Sequence, residues 1–584
     1  MPVVVLFCLP LFAGLGGTDL RSDEAIYAFA VDRTLETGDW LIPRSSPLED
    51  EPFLEKPPLK IWIVAAAIRL GVLPLDEFGL RFWDAVFGSV AFLYVFAIGR
   101  RMAGPWCGIA AVLILFAHVP LLFDHGLREH TMEAALVLSY CGGIYHYFAW
   151  TSATGRRLDA VACGLYFVLG FMTKFVAVLL LPVVLAAAAF AVPAHAAEIA
   201  RRRRDWLVAG ALATACIVPW FAYAWIRFGW AFWQMMLGVQ VYTRFTAFVD
   251  PAHLQPWHYY ATTAVSELAR SGSLVQVAAG FVLVATRTLR TRWPEGILVL
   301  LWLVIPTALI SLGTSKLYHY AYPFLPPLAL AGGYAAATLV HRVGPAVRVA
   351  ICAGERWGQR RWPAMAAFQR SRAGSAAAVL AVLAVAAAIA TAYAGVLDVR
   401  IGDWRLIRNS GVVRPLLAAT VLATAAGRLE WAGRLAIIAL ALALLPIDAY
   451  RTNLERLTIE DHPIRSLRDC LLRVHGERSP GEGAPRLYAE PDDPPINHAV
   501  NYYVRRLQPW ERGDGADDTL RRRLRDPGHE RPALIRRERY EQFAAGDAGA
   551  TVTIPGVRLF EYVLLLPGPY AVCALSGQDA AANR

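Results

Sequence analysis

The chain has 584 residues, of which 56% are hydrophobic, and its mean hydropathy is +0.40. These values exceed those of ordinary soluble domains and predict a polytopic α-helical membrane protein. The formal net charge of +10 would suit a nucleic-acid-binding protein. The basic residues, however, cluster between apolar segments, which argues against that class.

About thirteen apolar segments approach the ~20 residues that a helix needs to cross hydrocarbon. They lie at residues 1–17, 82–99, 104–123, 131–150, 158–173, 174–195, 206–227, 273–288, 295–313, 320–340, 374–396, 411–426 and 431–449. The first lacks the basic start and cleavage site of a signal peptide, so we expect it to remain as a short span. Residues 58–73 are apolar but short and include Lys60 and Arg69, which predicts a helix at the membrane interface.

Charge indicates the orientation of these spans. Six connections on one side are basic: Arg100 and Arg101, Arg156 and Arg157, Arg201 to Arg204, Arg287 to Arg292, residues 341–373, and Arg428 to Arg434. Residues 18–57, on the other side, hold ten acids and four bases. The positive-inside rule therefore places 18–57, 228–271, 313–319 and everything after 450 outside the cytoplasm. The Ala- and Arg-rich composition suggests a bacterium of high GC content. In a bacterial inner membrane, these segments of a multi-pass protein would lie in the periplasm.

The sequence divides into a transmembrane domain at 1–449 and a polar tail at 450–584. Strand-like runs at 486–489 and 557–563 and a helical stretch near 516–526 predict a small α/β domain in the tail. Two of the eight cysteines, Cys470 and Cys573, lie in the tail and can pair if it is outside the cytoplasm. The other six lie in or beside apolar segments and behave as small apolar residues.

The acidic outer segment 18–57 carries the first candidate catalytic residues. Asp23 and Glu24 follow the first span, where a carboxylate can act as a general base. The alternative is structural, because acids in a first helical turn also cap a helix. Glu55 and Lys56 precede two prolines; Lys56 would meet a lipid phosphate and Glu55 an acceptor or a cation, or both residues merely hold the chain at the headgroups.

A second acidic group opens the predicted span 131–150. Glu133 lies about one turn inside it, where a lone acid is costly unless it is functional. On one helix Glu129 and Glu133 would share a face, with His130 beside them, which allows a metal site. Hydrogen bonding is the more common role for such groups at an interface.

Cationic and aromatic residues make up the rest of the outer side. Lys56, Lys174, Arg244 and Lys316 would suit a phosphate, although each alone fits snorkelling to headgroups. The segment 228–271 is dense in aromatic residues, which suits stacking on sugars and equally an interfacial belt. Its candidates include Trp257, Tyr260, His253 and His258.

Taken in order, these motifs resemble the integral-membrane glycosyltransferases of the GT-C fold, in the branch of protein O-mannosyltransferases and lipid A aminoarabinose transferases. The aminoarabinose transferase type is the most similar. The matching motifs run over roughly 330 residues: Asp23-Glu24…Tyr27-Ala28, Gly38-Asp39-Trp40…Pro43, Glu55-Lys56-Pro57-Pro58, Thr173-Lys174, Arg244-Phe245, Trp257-His258-Tyr259-Tyr260, and Ser315-Lys316-Leu317…Tyr320…Pro323…Pro326.

The resemblance implies an inverting enzyme that moves a sugar, such as 4-amino-4-deoxy-L-arabinose or another pentose or hexose, from a polyprenyl phosphate to lipid A, another glycolipid, a glycan or a protein. It implies Asp23 as base, with Glu24 beside it, and Glu133 as the second acid, which in the family is usually Asp. It implies Lys56, Arg244, Lys316, Tyr320 and Lys174 as donor-phosphate ligands. Residues on the acceptor side or in the outer loops would be Glu55, Arg44, Tyr27, Trp257 and Tyr260.

No cofactor is indicated with certainty, and a divalent metal ion is the open alternative. Family members with a proposed metal carry a His three residues before the Arg-Phe pair, where this chain has Val241. Glu55, His253 and His258 are therefore weak ligand candidates.

Two other functions are alternatives to an enzyme. A flippase for the same lipids would show broken helices in paired halves, with Gly and Pro near the middle of the membrane. A binding module in 450–584 would not need Asp23 or Glu133. The concentration of polar residues on one side favours an enzyme.

Overall fold

The structure is a computed structural model. It describes the whole chain except residues 45–50, 249, 363, 395, 403, 444, 479–486, 490–497, 506–509, 513–530, 547–553 and 575–584. The chain forms two compact units. Unit 1 comprises Met1–Phe12, Ala85–Leu127 and Glu133–Leu457, and unit 2 comprises Ala13–Asp84, Arg128–Met132 and Thr458–Arg584.

Unit 1 is built almost entirely from helices. The α-helices are Glu77–Ala103 (from Ala85 on), Pro105–Ala117, Val119–Phe123, Glu133–Trp150, Arg157–Lys174, Leu180–Ala191, Pro193–Arg201, Arg203–Phe228, Trp230–Trp233, Arg244–Thr246, Tyr259–Arg270, Leu274–Thr291, Pro294–Leu312, Leu325–Arg361, Ala364–Arg370, Arg372–Ala394, Val413–Ala425, Leu429–Ala443 and Ile447–Arg456. Irregular helical turns lie at Val4–Cys8, Leu9–Phe12, Phe175–Val178, Gln234–Thr243, Pro251–His253 and Tyr318–Phe324.

The polytopic helical fold is confirmed, with fewer full-length spans than the sequence predicted. Among the described residues, six helices are long and apolar enough to cross a membrane, or seven if the pair Leu180–Ala191 and Pro193–Arg201, bent by 108°, counts as one span. The predicted segments do become helical, but several are short. A break at His118, before Pro120, ends the helix of the 104–123 segment early. Within residues 1–17, the named helical elements are a short π-helix at Val4–Cys8 and a short 3-10 helix at Leu9–Phe12.

Two features of unit 1 differ from the predicted loops. The segment 341–373 was expected as a connection, yet the preceding helix continues to Arg361, since Ala- and Arg-rich sequence has a high helix propensity. After the next long helix, strands β1 (Leu397–Ile401) and β2 (Trp404–Asn409) form an antiparallel hairpin that the sequence did not predict. Gly402 supplies the left-handed turn conformation between them, with φ +58°.

Unit 2 combines helices with a five-stranded mixed sheet. Its α-helices are Ser22–Thr37, Leu59–Arg69, Pro463–Arg478, His498–Val500 and Arg537–Gly546, with turns at Asn501–Arg505 and Gly568–Val572. Its strands are β3 (Leu487–Ala489), β4 (Trp510–Arg512), β5 (Ala533–Arg536), β6 (Gly556–Leu559) and β7 (Tyr562–Leu565). The helix Leu59–Arg69 has 11 residues, so the predicted short helix at 58–73 is present.

The sheet has the order β4-β3-β5-β7-β6, parallel from β4 to β5 and antiparallel from β5 to β6. The predicted small α/β tail is thus confirmed in class. The run 557–563 is not one strand, as predicted, but two, because Phe560 takes a left-handed conformation with φ 57° and turns the chain. The expected helix near 516–526 lies outside the described residues.

The sheet holds the acidic segment in place by packing within unit 2. One face, with Leu534 and Leu564, shares a buried apolar cluster with Ala25 and Ala28 of the helix Ser22–Thr37. The Phe29 ring contacts Tyr502 edge-on at 5.2 Å between centroids. The tail therefore positions the helix that carries Asp23.

Cys470 and Cys573, whose pairing the sequence left open, form a disulfide, and the two Cα atoms are 5.7 Å apart across 103 residues of chain. Disulfides are typical of compartments outside the cytoplasm.

The double variant Cys470→Ala/Cys573→Ala is expected to lose about 4–5 kcal/mol of stability in unit 2, because the bond closes a long loop in the unfolded chain. Thermal unfolding of the purified protein with and without dithiothreitol measures this. The Cys216→Ala variant serves as the control, because Cys216 is exposed and forms no disulfide. No loss of stability in the double variant would contradict the expectation.

Candidate functional site

The helix Ser22–Thr37 places Asp23 in its first turn. The backbone N–H of Arg21 donates to Glu24 Oε2 at 2.9 Å, and Gly38, with φ 72°, ends the helix in a left-handed conformation. Two acids in the first turn also complement the positive end of the helix dipole. Both sequence-based interpretations of this pair are therefore relevant, and the surroundings of the two carboxylates distinguish them.

Glu24 is committed to a buried network. Its side chain accepts from Arg81 Nε at 2.7 Å and Nη2 at 2.8 Å, and from the His130 N–H at 2.7 Å. Burial alone would raise the pKa of Glu24, but the Arg81 charge and these hydrogen bonds hold it below its usual value. This arrangement supports the structural interpretation for Glu24.

Asp23 is in a different environment. It is half-buried, and its negative charge and that of Glu55 both act on the imidazole of His498. Glu55 pairs with Lys56 at 3.9 Å, and Lys56 is the less exposed of the two. His498 was not among the sequence candidates, because nothing in the local sequence links residue 498 to residues 23 and 55.

Tyr27 and Arg44 have structural surroundings in the same unit. The Tyr27 ring is buried and meets the Phe53 ring edge-on, with centroids 6.0 Å apart. Arg44 forms an isolated antiparallel bridge with Pro52. Both residues hold the segment that leads to Glu55.

A buried charge cluster in unit 2 was missed. Lys60 Nζ lies 2.6 Å from Asp84 Oδ1 and also donates to the carbonyl of Thr131. His130 Nδ1 lies 3.8 Å from the other oxygen of Asp84. Burial and the Lys60 charge lower the pKa of His130 well below its usual value, so this histidine is neutral. The sequence assigned Lys60 to an interfacial helix and Asp84 to a membrane span, and therefore did not predict the ion pair between them.

Unit 1 contains the second predicted acid. Glu133 is 3% exposed and begins its helix, so the expectation that it lies one turn inside is wrong. Residues 127–132 form turns, and Glu129 therefore shares no helical face with Glu133. Lys174, at the end of the helix Arg157–Lys174, donates to Glu133 Oε1 and lies 5.4 Å from the centre of the Tyr320 ring.

Two histidines that the sequence analysis did not select lie beside Glu133. His319 Nε2 is 3.5 Å from Glu133 Oε1, and the His319 ring stacks on His125 with centroids 4.5 Å apart. His125 Nδ1 is 3.2 Å from Asp124 Oδ1, and this hydrogen bond lowers the pKa of Asp124. The unusual backbone of His125, with φ 52°, directs its side chain and gives no sequence signal.

Arg244 and Tyr320 are brought together by pairing between two loops. The N–H groups of Ser315 and Lys316 donate to the carbonyls of Arg244 at 3.0 Å and His253 at 2.8 Å. Arg244 Nη1 then donates to the Tyr320 hydroxyl at 2.7 Å. Arg244 Nε is buried and has no hydrogen-bond partner in the described part of the chain. It is a donor that an anion would satisfy.

Lys316 and the aromatic candidates differ in accessibility. Lys316 is 4% exposed and donates to the carbonyls of Gln255, at 2.9 Å, and Gly313; burial lowers its pKa. Two of its three ammonium donors are thus used within the loops. Tyr260 is buried, whereas Trp257 is 75% exposed. Of these two aromatic residues, Trp257 has the accessible ring face that stacking on a sugar requires.

Metal-ligand geometry occurs elsewhere than predicted. Within the described ranges, one group of three such side chains has ligand atoms within 4.8 Å: Asp19, Glu77 and His462. The Arg465 guanidinium lies 2.7 Å from Glu77 Oε2, so a side-chain cation already neutralises one carboxylate of this group. No such group found among the described residues includes the predicted candidates, which are Glu55, His253, His258, Glu129, His130 and Glu133.

Parts of the chain are similar in sequence to known proteins. Residues 55–223 match the family described as dolichyl-phosphate-mannose-protein mannosyltransferase. An undecaprenyl phosphate-alpha-4-amino-4-deoxy-L-arabinose arabinosyl transferase of Pseudomonas aeruginosa (strain LESB58) is 29% identical over 328 residues, covering 54% of this chain and 55% of that protein. A protein of the same description from Pectobacterium carotovorum subsp. carotovorum (strain PC1) is 27% identical over 375 residues, covering 61% of each. The chain therefore matches only a little over half the length of these relatives.

Structural similarity extends further along the chain. The crystal structure of ArnT from Cupriavidus metallidurans bound to undecaprenyl phosphate has a TM-score of 0.61 at 17% identity, over 96% of this chain and 97% of that one. The apo structure of the same protein has a TM-score of 0.59 over 98% of both chains. The fold is shared, and the resemblance that the motifs indicated, to GT-C membrane glycosyltransferases with ArnT-like homologues, is confirmed.

Proposed function

We propose that this chain is a glycosyltransferase that uses a polyprenyl-phosphate-linked sugar as donor. The observation that carries the proposal is the ArnT-like fold over nearly the whole chain, which coincides with ordered motif matches. The similar arabinosyl transferases are named for an undecaprenyl-phosphate-linked amino-arabinose, and the solved relative binds undecaprenyl phosphate. For this chain we propose a donor sugar of that type and an acceptor that is a lipid or a glycan.

The proposed reaction is a single displacement at the anomeric carbon. An acceptor oxygen forms the new bond, the bond to the donor phosphate breaks, and the acceptor proton passes to Asp23. The leaving phosphate keeps the electron pair and is already anionic, so positive charge stabilises it without a general acid. Arg244, Lys56 and Lys316 are the proposed sources of that charge, and the unsatisfied Nε of Arg244 supports its part in particular.

Glu133 has a positioning role in this proposal. Its carboxylate is paired with Lys174 and His319, and Lys174 lies over the Tyr320 ring whose hydroxyl accepts from Arg244. A buried acid paired with two potential cations holds them in fixed positions, because separating the charges would leave a buried charge unpaired. Such a chain of contacts would fix the direction of the Arg244 guanidinium.

We further propose the predicted orientation, with thirteen membrane segments and residues 18–57 and 450–584 in the periplasm of a bacterial inner membrane. The disulfide between Cys470 and Cys573 supports an oxidising compartment for the tail. The shorter helices, such as Val413–Ala425, would have to count as spans for this topology.

The direct test uses the purified full chain in detergent with a panel of polyprenyl-phosphate sugars and a bacterial lipid extract. Release of free polyprenyl phosphate that needs both donor and acceptor is the expected result. Donor binding without release under every acceptor condition would contradict the transferase proposal and favour lipid transport.

Arg244→Met is expected to raise the KM for the donor about 10-fold or more, because a charged hydrogen bond to phosphate is lost. Tyr320→Phe, which removes the hydroxyl partner of Arg244 and keeps the ring beside Lys174, should show a smaller effect in the same direction. Steady-state release kinetics measure both values. Arg270→Met is the matched control, since Arg270 is exposed and pairs with Glu267 at a helix end. An unchanged KM in Arg244→Met would remove Arg244 from the donor site.

A further inference from the structure

We infer that unit 1 carries a separate binding site for the phosphate headgroup of an anionic phospholipid, at the basic end of the helix Glu77–Ala103. A cavity of about 330 Å³ opens there and is lined by Phe96, Ala97, Arg100, Arg101, Tyr145 and Ala149. This volume is within the range of small-molecule pockets, about 300–1,000 Å³. The inference is independent of the proposed transferase activity.

The cavity is well separated from the Glu133 cluster. Glu133 and Ala149 lie near opposite ends of the same helix, Glu133–Trp150. At 1.5 Å per residue they are about 24 Å apart along its axis, which is most of the thickness of a hydrocarbon core. The cavity therefore belongs to the other end of the membrane-embedded unit, where the sequence places its basic connections.

The wall of the cavity is firmly positioned. Arg101 Nε lies 3.3 Å from Glu295 Oε1, and Arg101 Nη1 donates to the Phe148 carbonyl at 3.0 Å. The Tyr145 ring packs on the Tyr94 ring with centroids 5.0 Å apart. Tyr94 itself is hydrogen-bonded to His146 and Tyr166. These contacts fix the polar lining without using all of its donors.

Two donors in the lining remain for a ligand. Among the described residues, no hydrogen bond or ion pair joins the Arg100 guanidinium or the Tyr145 hydroxyl to another residue. A guanidinium and a hydroxyl are the groups that bind phosphate oxygens, and the Arg101 guanidinium, whose charge Glu295 partly neutralises, lies in the same lining. Phe96, Ala97 and Ala149 make the rest of the lining apolar. An anionic head joined to an apolar chain matches both parts.

A phospholipid accounts for this combination better than free phosphate does. Inorganic phosphate would use the arginines and leave the apolar lining facing water, whereas a lipid satisfies both. Basic pockets between transmembrane helices bind anionic lipid headgroups for this reason. Arginines that merely snorkel to the interface would need no cavity beside them.

The test is native mass spectrometry of the detergent-purified full chain, titrated with phosphatidylglycerol or with phosphatidylcholine. The wild type should bind phosphatidylglycerol at least about fivefold more tightly, which is the gain expected from one arginine near a lipid phosphate. Arg100→Gln should remove that preference, and Tyr145→Phe should weaken it. Ala97→Phe fills the cavity with both arginines intact and should also remove it.

Arg204→Gln is the matched control, because Arg204 is an exposed arginine on the same predicted side and outside the cavity lining. It should leave lipid preference unchanged, as should millimolar inorganic phosphate added as competitor. Equal binding of the two lipids by the wild type, or equal losses in Arg100→Gln and Arg204→Gln, would overturn the inference. Full displacement by inorganic phosphate would do so as well, since it would identify a free-phosphate site.

Discussion

Replacing Asp23 with Asn is expected to reduce sugar transfer about 10²–10⁴-fold, the usual contribution of a positioned general base. The amide has nearly the same size but cannot accept the acceptor proton. Asp23 is half-buried at the start of its helix, so the substitution weakens its interactions with the helix dipole and with His498 while keeping the size of the side chain. Release of polyprenyl phosphate at saturating donor measures the loss as a fall in kcat.

The matched control for this prediction is Glu36→Gln on the same helix. Glu36 pairs at the surface with Arg33 at 2.9 Å, and its side chain is 49% exposed. It should retain full activity. If Asp23→Asn kept more than about a tenth of the wild-type rate, the general-base role would have to be assigned elsewhere, and the neighbouring Glu55 would be tested next.

Replacing Glu24 with Gln is expected to lower the free energy of unfolding by about 3–5 kcal/mol, because it leaves the buried Arg81 charge without its partner. Arg81 is 3% exposed and makes two hydrogen bonds to this carboxylate. Thermal unfolding in detergent should show a large fall in midpoint. Activity per folded molecule should change much less than in Asp23→Asn.

Two comparisons separate the structural role of Glu24 from a catalytic one. The double variant Glu24→Gln/Arg81→Met removes the unpaired charge and should recover part of the stability, since the two residues are directly coupled. The exposed pair of Glu36 and Arg33 should contribute no more than about 1 kcal/mol. A stable but inactive Glu24→Gln protein would restore the catalytic interpretation made from sequence.

The sequence predicted well wherever a property follows from local composition. Apolar runs identified the helical membrane unit, short strand-like runs indicated the sheet in the tail, and the polar context of Cys470 and Cys573 indicated that the two could pair. It overestimated the number of full spans because apolar composition does not reveal breaks such as the one before Pro120. It did not predict the β1–β2 hairpin, because these short strands contain no long apolar segment.

The candidate residues show the same limit. Glu133, Lys174, Arg244 and Tyr320 were all selected from sequence, and their contacts within unit 1 needed the fold. The helix start at Glu133 separated it from Glu129, because residues 127–132 form turns and not helix. His125 and His319 became neighbours only through the packing of distant segments.

The sequence by itself determined the chemical inventory: a membrane-embedded helical chain, an acidic outer segment, a set of cations and the order of motifs that relates it to GT-C enzymes. These depend on composition and short-range spacing, which are properties of the chain alone. The tertiary structure decided which distant groups surround each of two adjacent carboxylates. Glu24 meets Arg81, 57 positions away, whereas Asp23 faces His498 from the tail. Such choices depend on which distant side chains share a low-dielectric interior, and no local pattern encodes that.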